Sequence, residues 1–63
     1  MTPAEFNAAA TRIGSRRELC RRTGIPRRSA DNYALGRTEV PRVVRLAIAA
    51  VEAGLDQNDE RAA

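Results

Sequence analysis

The sequence contains no His, no Trp and no Lys, and it contains a single Cys, Cys20. One Cys cannot form a disulfide within the chain, and without His it cannot build a Cys/His metal cluster. The absence of His also excludes Ser-His-Asp and Cys-His catalytic arrangements. Eight carboxylates remain, but a chain of 63 residues has little material to wall a deep pocket. We therefore expect no enzyme activity, no catalytic or metal-ligating residues and no cofactor.

Large apolar side chains are also scarce. Ala supplies 12 of the apolar residues, and the larger apolar side chains number 15 when Met, Cys and Tyr are counted. A domain of this size hides only about 60% of the surface that its unfolded chain exposes. We expect one small domain over residues 1–55, a polar C-terminal tail over residues 56–63, and completion of the core by a partner such as a second copy.

No apolar run is long enough to cross a bilayer. The longest, over residues 46–51, is far shorter than a membrane span requires. The first residues have neither the basic start nor the apolar stretch of a signal peptide. The expected location is therefore the cytoplasm.

Positive charge is concentrated in the middle of the chain. Residues 12–45 contain ten of the eleven Arg residues against three acids, Glu18, Asp31 and Glu39, which gives this segment a net charge of +7. Such a concentration in a small domain favours a polyanionic partner. Arg suits bidentate contacts to phosphate or guanine, although in this chain it occupies every cationic position.

Gly and Pro divide the chain into four segments with helical apolar spacing. Pro is favoured at the start of a helix and Gly just after its end. Pro stands at positions 3, 26 and 41, and Gly at positions 14, 24, 36 and 54. The predicted helices cover residues 3–13, 16–22, 26 or 27 to 34, and 41–53. We predict an all-α fold, a compact bundle of four short helices that contains a helix-turn-helix.

Two of the predicted helices begin with capping signals, and the fourth has an unusually wide apolar side. Thr2 with Glu5, and Ser15 with Glu18, have the spacing of a capping box. In the fourth helix a second apolar set, Val43, Leu46 and Ala50, lies beside the core-facing stripe, and Leu55 at the end of that stripe joins it as a candidate contact. Two interpretations are open, because these side chains could form a dimer interface or could complete the core of the monomer.

The second and third predicted helices are separated only by Thr23, Gly24 and Ile25. Two short helices, a brief turn containing Gly and a basic second helix describe a helix-turn-helix. The segment over residues 15–37, SRRELCRRTGIPRRSADNYALGR, resembles the lambda-repressor-like (Cro/repressor) helix-turn-helix family of DNA-binding proteins. The matching positions are Glu18, Leu19, Gly24, Ile25, Tyr33 and Gly36. The departures are Thr23 in place of an aliphatic residue, Pro26 in place of a Ser/Thr cap, and the small Ala30.

The resemblance implies that the third helix enters the DNA major groove and that Arg27, Arg28 and Asn32 meet base edges. The chemistry agrees, because Arg donates two hydrogen bonds to guanine and Asn pairs with adenine. Asp31 follows Arg27 by four residues and Arg28 by three. It could hold either guanidinium in position or accept a hydrogen bond from cytosine. The alternative for this face is a solvated basic surface.

Several Arg residues are predicted to contact the phosphate backbone. Cations in the first turn of a helix oppose its dipole, which costs about 0.3–1 kcal/mol each when they are exposed. Folding alone does not favour that placement, whereas a phosphate would. The predicted phosphate contacts are Arg16, Arg17, Arg37, Arg42 and Arg45; the alternative is that they only solubilise the surface.

The sequence thus predicts a sequence-specific double-stranded DNA-binding regulator of transcription. It would act as a homodimer on an inverted-repeat operator, most simply as a repressor of its own operon that blocks a promoter, in the manner of a phage Cro-like regulator. The alternative is a protein-interaction module, antitoxin-like or polymerase-contacting, in which the apolar fourth helix binds another protein.

Overall fold

Four α-helices form the part of the chain that the structure describes, residues 1–54 of a computed structural model. They are α1 (Pro3–Ile13), α2 (Arg16–Thr23), α3 (Arg27–Leu35) and α4 (Arg42–Glu52). These residues contain no strand. The prediction of an all-α bundle of four short helices is confirmed, and each boundary lies within one residue of its predicted place. The predicted polar tail lies outside the described residues.

The starts of α1 and α2 follow from their capping residues. At α1 the Thr2 hydroxyl accepts from the Glu5 amide at 3.1 Å, and the Glu5 carboxylate accepts from the Thr2 amide at 2.7 Å. The predicted capping box is therefore complete. At α2 only half of the predicted box forms. The Ser15 hydroxyl accepts from the Glu18 amide at 3.0 Å, but the Glu18 carboxylate binds Arg21 instead.

The end of α2 lies one residue later than predicted. Thr23 is still helical, its hydroxyl donates to the Leu19 carbonyl at 2.7 Å, and the same oxygen accepts from the Ile25 amide at 3.3 Å. Gly24 then takes the left-handed conformation, with φ of 81°, and caps the helix through its amide on the Cys20 carbonyl. The connection to α3 is therefore residues 24–26 rather than 23–25, and its length is unchanged.

Helices α1 and α2 form the centre of the bundle. They pack on each other, and each of them packs on both α3 and α4, whereas α3 and α4 make no backbone approach to each other within residues 1–54. The largest fully buried side chains are Phe6, Leu19 and Ile48, one from each of α1, α2 and α4. Helix α3 adds Tyr33, whose ring lies edge-on to Phe6 with centroids 5.7 Å apart. The core thus fixes both outer helices against the inner pair.

Helix α4 divides its apolar residues between the core and the surface. Ile48 and Val51 are buried, but Val43 is 71% exposed and Leu46 is 58% exposed. These two side chains therefore do not complete the monomer core, which was one of the two interpretations. Ala50 is half-buried, and Leu55, the fourth predicted interface residue, lies outside the described residues.

The described helices are short. Within residues 1–54 none combines the length and the apolar character that crossing a membrane requires. The same residues hold no cluster of three or more Cys, Asp or Glu side chains that could bind a metal ion.

Candidate nucleic-acid interface

The candidate interface is built around the start of α3. Pro26 precedes the helix with φ of −60° and offers no side-chain hydrogen bond to its first turn. Arg27 and Arg28 occupy the first two helical positions, and the first turn contains no acid. Two guanidinium groups therefore stand at the positive end of the α3 dipole without a local anion from their own turn.

Helix α3 presents one side to the core and the other to solvent. Ala30, Tyr33 and Ala34 are buried. The side chain of Asn7 on α1 donates to the Ala34 carbonyl at 3.2 Å, which ties the last turn of α3 to α1. Because α3 is held from one side, the orientation of its outer side is fixed by the core.

The outer side of α3 carries all four predicted base-contacting residues. Arg27 and Arg28 are exposed, whereas Asp31 and Asn32 are half-buried. In the described part of the chain, the side chains of Arg28 and Asn32 make no hydrogen bond or ion pair. Their donors therefore face solvent, where the edges of bases could reach them.

Asp31 on α3 contacts two Arg residues, Arg16 on α2 and Arg27 on its own helix. Its Oδ1 accepts from Arg16 Nη1 at 2.8 Å and lies 3.5 Å from Arg27 Nε. The hydrogen bond from Arg16 is the main reason that the pKa of the Asp31 carboxyl lies below its usual range, and the nearby charge of Arg27 adds to it. Sequence spacing pointed to Arg27 or Arg28 as the partner of Asp31. The structure shows Arg27 together with Arg16, a partner that only the packing of α2 on α3 could reveal.

The other predicted phosphate contacts lie at the surface of several elements. Arg17 on α2, Arg37 after α3, and Arg42 and Arg45 on α4 are all exposed. The Arg37 amide donates to the Asn32 carbonyl at 2.9 Å, which holds the chain against the end of α3. Helix α4, like α3, begins after a Pro without a side-chain cap and has no acid in its first turn. Neither Arg42 nor Arg45 takes part in the hydrogen bonds that connect Arg16, Asp31 and Arg27.

Acidic side chains elsewhere bind Arg residues that were not assigned to the interface. Glu18 accepts from Arg21 Nε and Nη2, both at 2.8 Å, and this pairing lowers the pKa of the Glu18 carboxyl. Glu52 accepts from Arg12 Nη2 at 2.8 Å and connects α4 to α1.

Two further side chains lie on the helices of this interface, Cys20 on α2 and Leu35 on α3. Cys20 is half-buried against the core, and burial raises the pKa of its thiol, as expected for a small packing residue. Leu35, in the last turn of α3, is 62% exposed. Sequence analysis did not identify Leu35, because a single apolar residue at a helix end has no periodic neighbours that would assign it to a face.

The exposed side chains at the start of α3 are hydrogen-bond donors suited to nucleic acid. Exposed guanidinium groups at the start of a fixed helix can donate paired hydrogen bonds to phosphate oxygens or to guanine, and the Asn32 amide can both donate and accept. Comparison with protein-family models, with curated proteins and with solved structures finds no match to this chain.

Proposed function

We propose that this chain is a sequence-specific double-stranded DNA-binding regulator of transcription that acts in the cytoplasm. The observation that carries the proposal is the start of α3, where Arg27 and Arg28 are exposed on a helix fixed by the core. Helices α2 and α3 with residues 24–26 between them are proposed to act as a helix-turn-helix, consistent with the resemblance to lambda-repressor-like proteins. In this proposal α3 lies in the major groove, with Arg27, Arg28 and Asn32 at base edges.

Phosphate contacts would come from the Arg residues around this helix. We assign that role to Arg16, Arg17 and Arg37, which lie on α2 or just after α3, and to Arg42 and Arg45 on α4. The uncapped first turn of α4 favours the assignment of Arg42, because amide groups at a helix start and a guanidinium both attract anions.

The proposed assembly is a homodimer formed through α4. Val43 and Leu46 are mostly exposed and Ala50 is half-buried, so one side of α4 presents an apolar stripe to solvent. An isologous contact between two copies would place two α3 helices on an inverted repeat, about 34 Å apart. Blocking a promoter, including that of its own operon, is the simplest mechanism for a domain of this size.

In vitro selection tests the DNA assignment. The purified protein is incubated with duplexes that carry about 24 randomised base pairs, long enough for two half-sites one helical turn apart. Fluorescence anisotropy then compares the enriched duplex with a scrambled duplex at several salt concentrations. We expect about a thousandfold preference for the enriched duplex at physiological salt.

A pair of double variants tests the site. Arg27→Ala with Arg28→Ala is expected to abolish the preference. Arg12→Ala with Arg21→Ala removes the same charge from two Arg residues that are paired with Glu52 and Glu18, and it should retain the preference. Equal losses in both double variants would mean that only total charge matters. No enrichment and no binding at low salt would refute the proposed function.

Sedimentation tests the dimer. Leu46→Glu places a charge in the apolar stripe of α4 and should convert a dimer into a monomer. Ala49→Glu makes a similar change at another exposed position of the same helix and should leave the dimer intact. An unchanged dimer in the Leu46 variant would move the interface elsewhere.

A second candidate is favoured by the same exposed side chains. The apolar stripe of α4 could bind a different protein, with α2 and α3 serving only as scaffold. In that case Val43→Asp would abolish partner binding, and the Arg27/Arg28 double variant would leave it unchanged. For a DNA-binding regulator, the Arg27/Arg28 double variant would instead abolish binding to its partner, the DNA.

A further inference from the structure

The cluster formed by Arg16, Asp31 and Arg27 is a cross-link between α2 and α3. Asp31 is the only acid in α3, and the same oxygen, Oδ1, faces both guanidinium groups. Arg16 belongs to the first turn of α2 and Arg27 to the first turn of α3. One carboxylate therefore connects the starts of both helices.

The geometry leaves part of Arg27 available. Asp31 contacts Arg27 at Nε, and in the described part of the chain no contact uses its Nη1 or Nη2. These two terminal nitrogens are donors that a guanidinium can present end-on to two acceptors. At 3.5 Å this is a long contact between two partly exposed groups, so it biases the orientation of the Arg27 guanidinium while keeping that edge free.

We propose that Asp31 is a positioning residue that sets DNA specificity, by restraining Arg16 and Arg27 rather than by contacting a base. The inference rests on the proposed function and refines it, since Asp31 then leaves the set of base-contacting residues. Base discrimination in this arrangement falls to Arg27, Arg28 and Asn32.

The physical reason is competition between anions. A DNA phosphate and the Asp31 carboxylate attract the same guanidinium groups, so a phosphate that engages Arg16 must displace or share a bond of 2.8 Å. This competition weakens binding to every sequence. A restrained Arg27 has less orientational freedom to lose at the correct base, so the restraint favours the matching sequence. Asp31 thereby lowers non-specific affinity and supports specific affinity.

Asp31→Asn tests this inference, because it removes the charge but retains the approximate shape. The two probes are a fixed random-sequence duplex and the duplex that the wild-type protein enriches from the randomised library. For the random duplex we expect tighter binding, because Arg16 then contacts a phosphate without first displacing the Asp31 carboxylate. The ratio of specific to non-specific affinity should fall about tenfold, within the range that one bidentate base contact contributes.

Glu52→Gln is the matched control. It also removes one carboxylate that is bonded to an Arg, here Arg12, in an ion pair between α1 and α4. The change in total charge is the same, so Glu52→Gln should leave the specificity ratio unchanged. An equal fall of the ratio in both variants would overturn the inference in favour of a general charge effect.

Two more variants distinguish the loss of the restraint by Asp31 from a loss of the folded structure. Asp31→Glu keeps the charge and should keep the weak binding to the random duplex. Arg16→Ala combined with Asp31→Asn removes the guanidinium that Asp31→Asn would release, so the tighter binding to the random duplex should be lost. A circular dichroism spectrum and a Tm equal to those of the wild type show that Asp31→Asn retains the fold, so that a fall of the ratio is not a loss of structure.

The outcomes distinguish this inference from the proposed function. If the wild-type protein enriches a sequence but Asp31→Asn retains the full ratio, the inference fails and the function stands. If Asp31→Asn loses preference at one base pair of each half-site with unchanged binding to the random duplex, Asp31 contacts a cytosine and the inference is wrong. If the wild-type protein neither enriches a sequence nor binds the random duplex, both fall together.

Discussion

The inner helices α1 and α2 begin differently from the outer helices α3 and α4. At α1 and α2 a hydroxyl side chain accepts from the amide of the third helical residue, and that residue is a Glu. At α3 and α4 a Pro precedes the helix, no side chain caps it, and the first turn contains Arg and no acid. The two pairs therefore differ in the hydroxyl cap and in the first-turn acid, although α2 also carries two Arg residues, Arg16 and Arg17, in its first turn.

The difference indicates which helix starts stabilise the fold and which are open to binding an anion. A hydroxyl cap stabilises a helix by about 1 kcal/mol, and an acid in the first turn adds a favourable interaction with the dipole. The inner helices use both devices, and they also contact every other helix of the bundle. The outer helices have neither device, so the Arg residues in their first turns have no acid of the same turn beside them. We infer that their starts are adapted to an external anion, which would supply the missing charge on binding.

The largest expected effect is on DNA binding, and it distinguishes base contact at the start of α3 from phosphate contact at the start of α4. Arg28→Ala should remove about 1–3 kcal/mol of discrimination at one base pair of each half-site. Arg42→Ala at the start of α4 should weaken binding by the same factor for every DNA sequence, and it should lower the salt slope by about 0.9. Anisotropy on a panel of singly substituted duplexes measures both. Uniform weakening by Arg28→Ala would reassign Arg28 to phosphate.

The boundaries of the helices were predictable from sequence because the signals are local. The Thr2–Glu5 spacing, the Pro residues and the left-handed Gly24 act within a few residues of where they stand. Two details of α2 were predicted wrongly: its last residue and the completeness of its capping box. The sequence does not show that the Thr23 hydroxyl bonds the Leu19 carbonyl, or that the Glu18 carboxylate binds Arg21 instead of the Ser15 amide.

The candidate site was predictable only in part. Helical spacing placed Arg27, Arg28, Asp31 and Asn32 on one side of α3, because that spacing is a property of the helix itself. The bond from Arg16 to Asp31 spans 15 positions and depends on how α2 packs on α3. Similarly, exposure of Val43 beside the half-buried Val44 depends on where α1 and α2 lie.

Removing a cap from an inner helix should cost stability. Ser15→Ala is expected to lower the free energy of unfolding by about 1 kcal/mol, because the Glu18 amide loses its acceptor. Thermal denaturation followed by circular dichroism should show a fall in Tm of about 4–8 °C. Ser29→Ala is the control, in the first turn of uncapped α3, and should change stability by no more than about 0.5 kcal/mol. Equal effects of the two substitutions would remove the distinction between capped and uncapped starts.

Removing a cation from an outer helix should do the opposite. Arg42→Gln is expected to raise the free energy of unfolding by about 0.3–1 kcal/mol at low ionic strength, because an unfavourable charge leaves the first turn of α4. Arg12→Gln makes the same chemical change in the last turn of α1, where the cation is favourable, and should destabilise the protein. Denaturant titration at low and high salt measures both. A loss of stability in Arg42→Gln would show that this Arg serves the fold.

The smallest expected effect is a dependence of stability on acid pH that originates mainly in the inner helices. Hydrogen bonds from Thr2 lower the pKa of the Glu5 carboxyl, and Arg21 does the same for Glu18. A carboxyl whose pKa is lower in the folded state contributes stability that is complete above its unfolded pKa. That contribution is lost as the pH falls through the folded pKa. Between about pH 5.5 and 8 stability should be nearly constant, since the chain has no His to titrate there.

Thermal denaturation from pH 7 down to pH 3 measures this dependence, and Glu5→Gln sharpens it. The variant should be less stable than the wild type at pH 7 and should lose less stability on acidification, because its amide has no proton to take up. Asp31→Asn should also flatten the profile, since Arg16 lowers the pKa of Asp31. A profile that Glu5→Gln leaves as steep as that of the wild type would mean that acid stability reflects total charge and not the paired carboxylates at the starts of the inner helices.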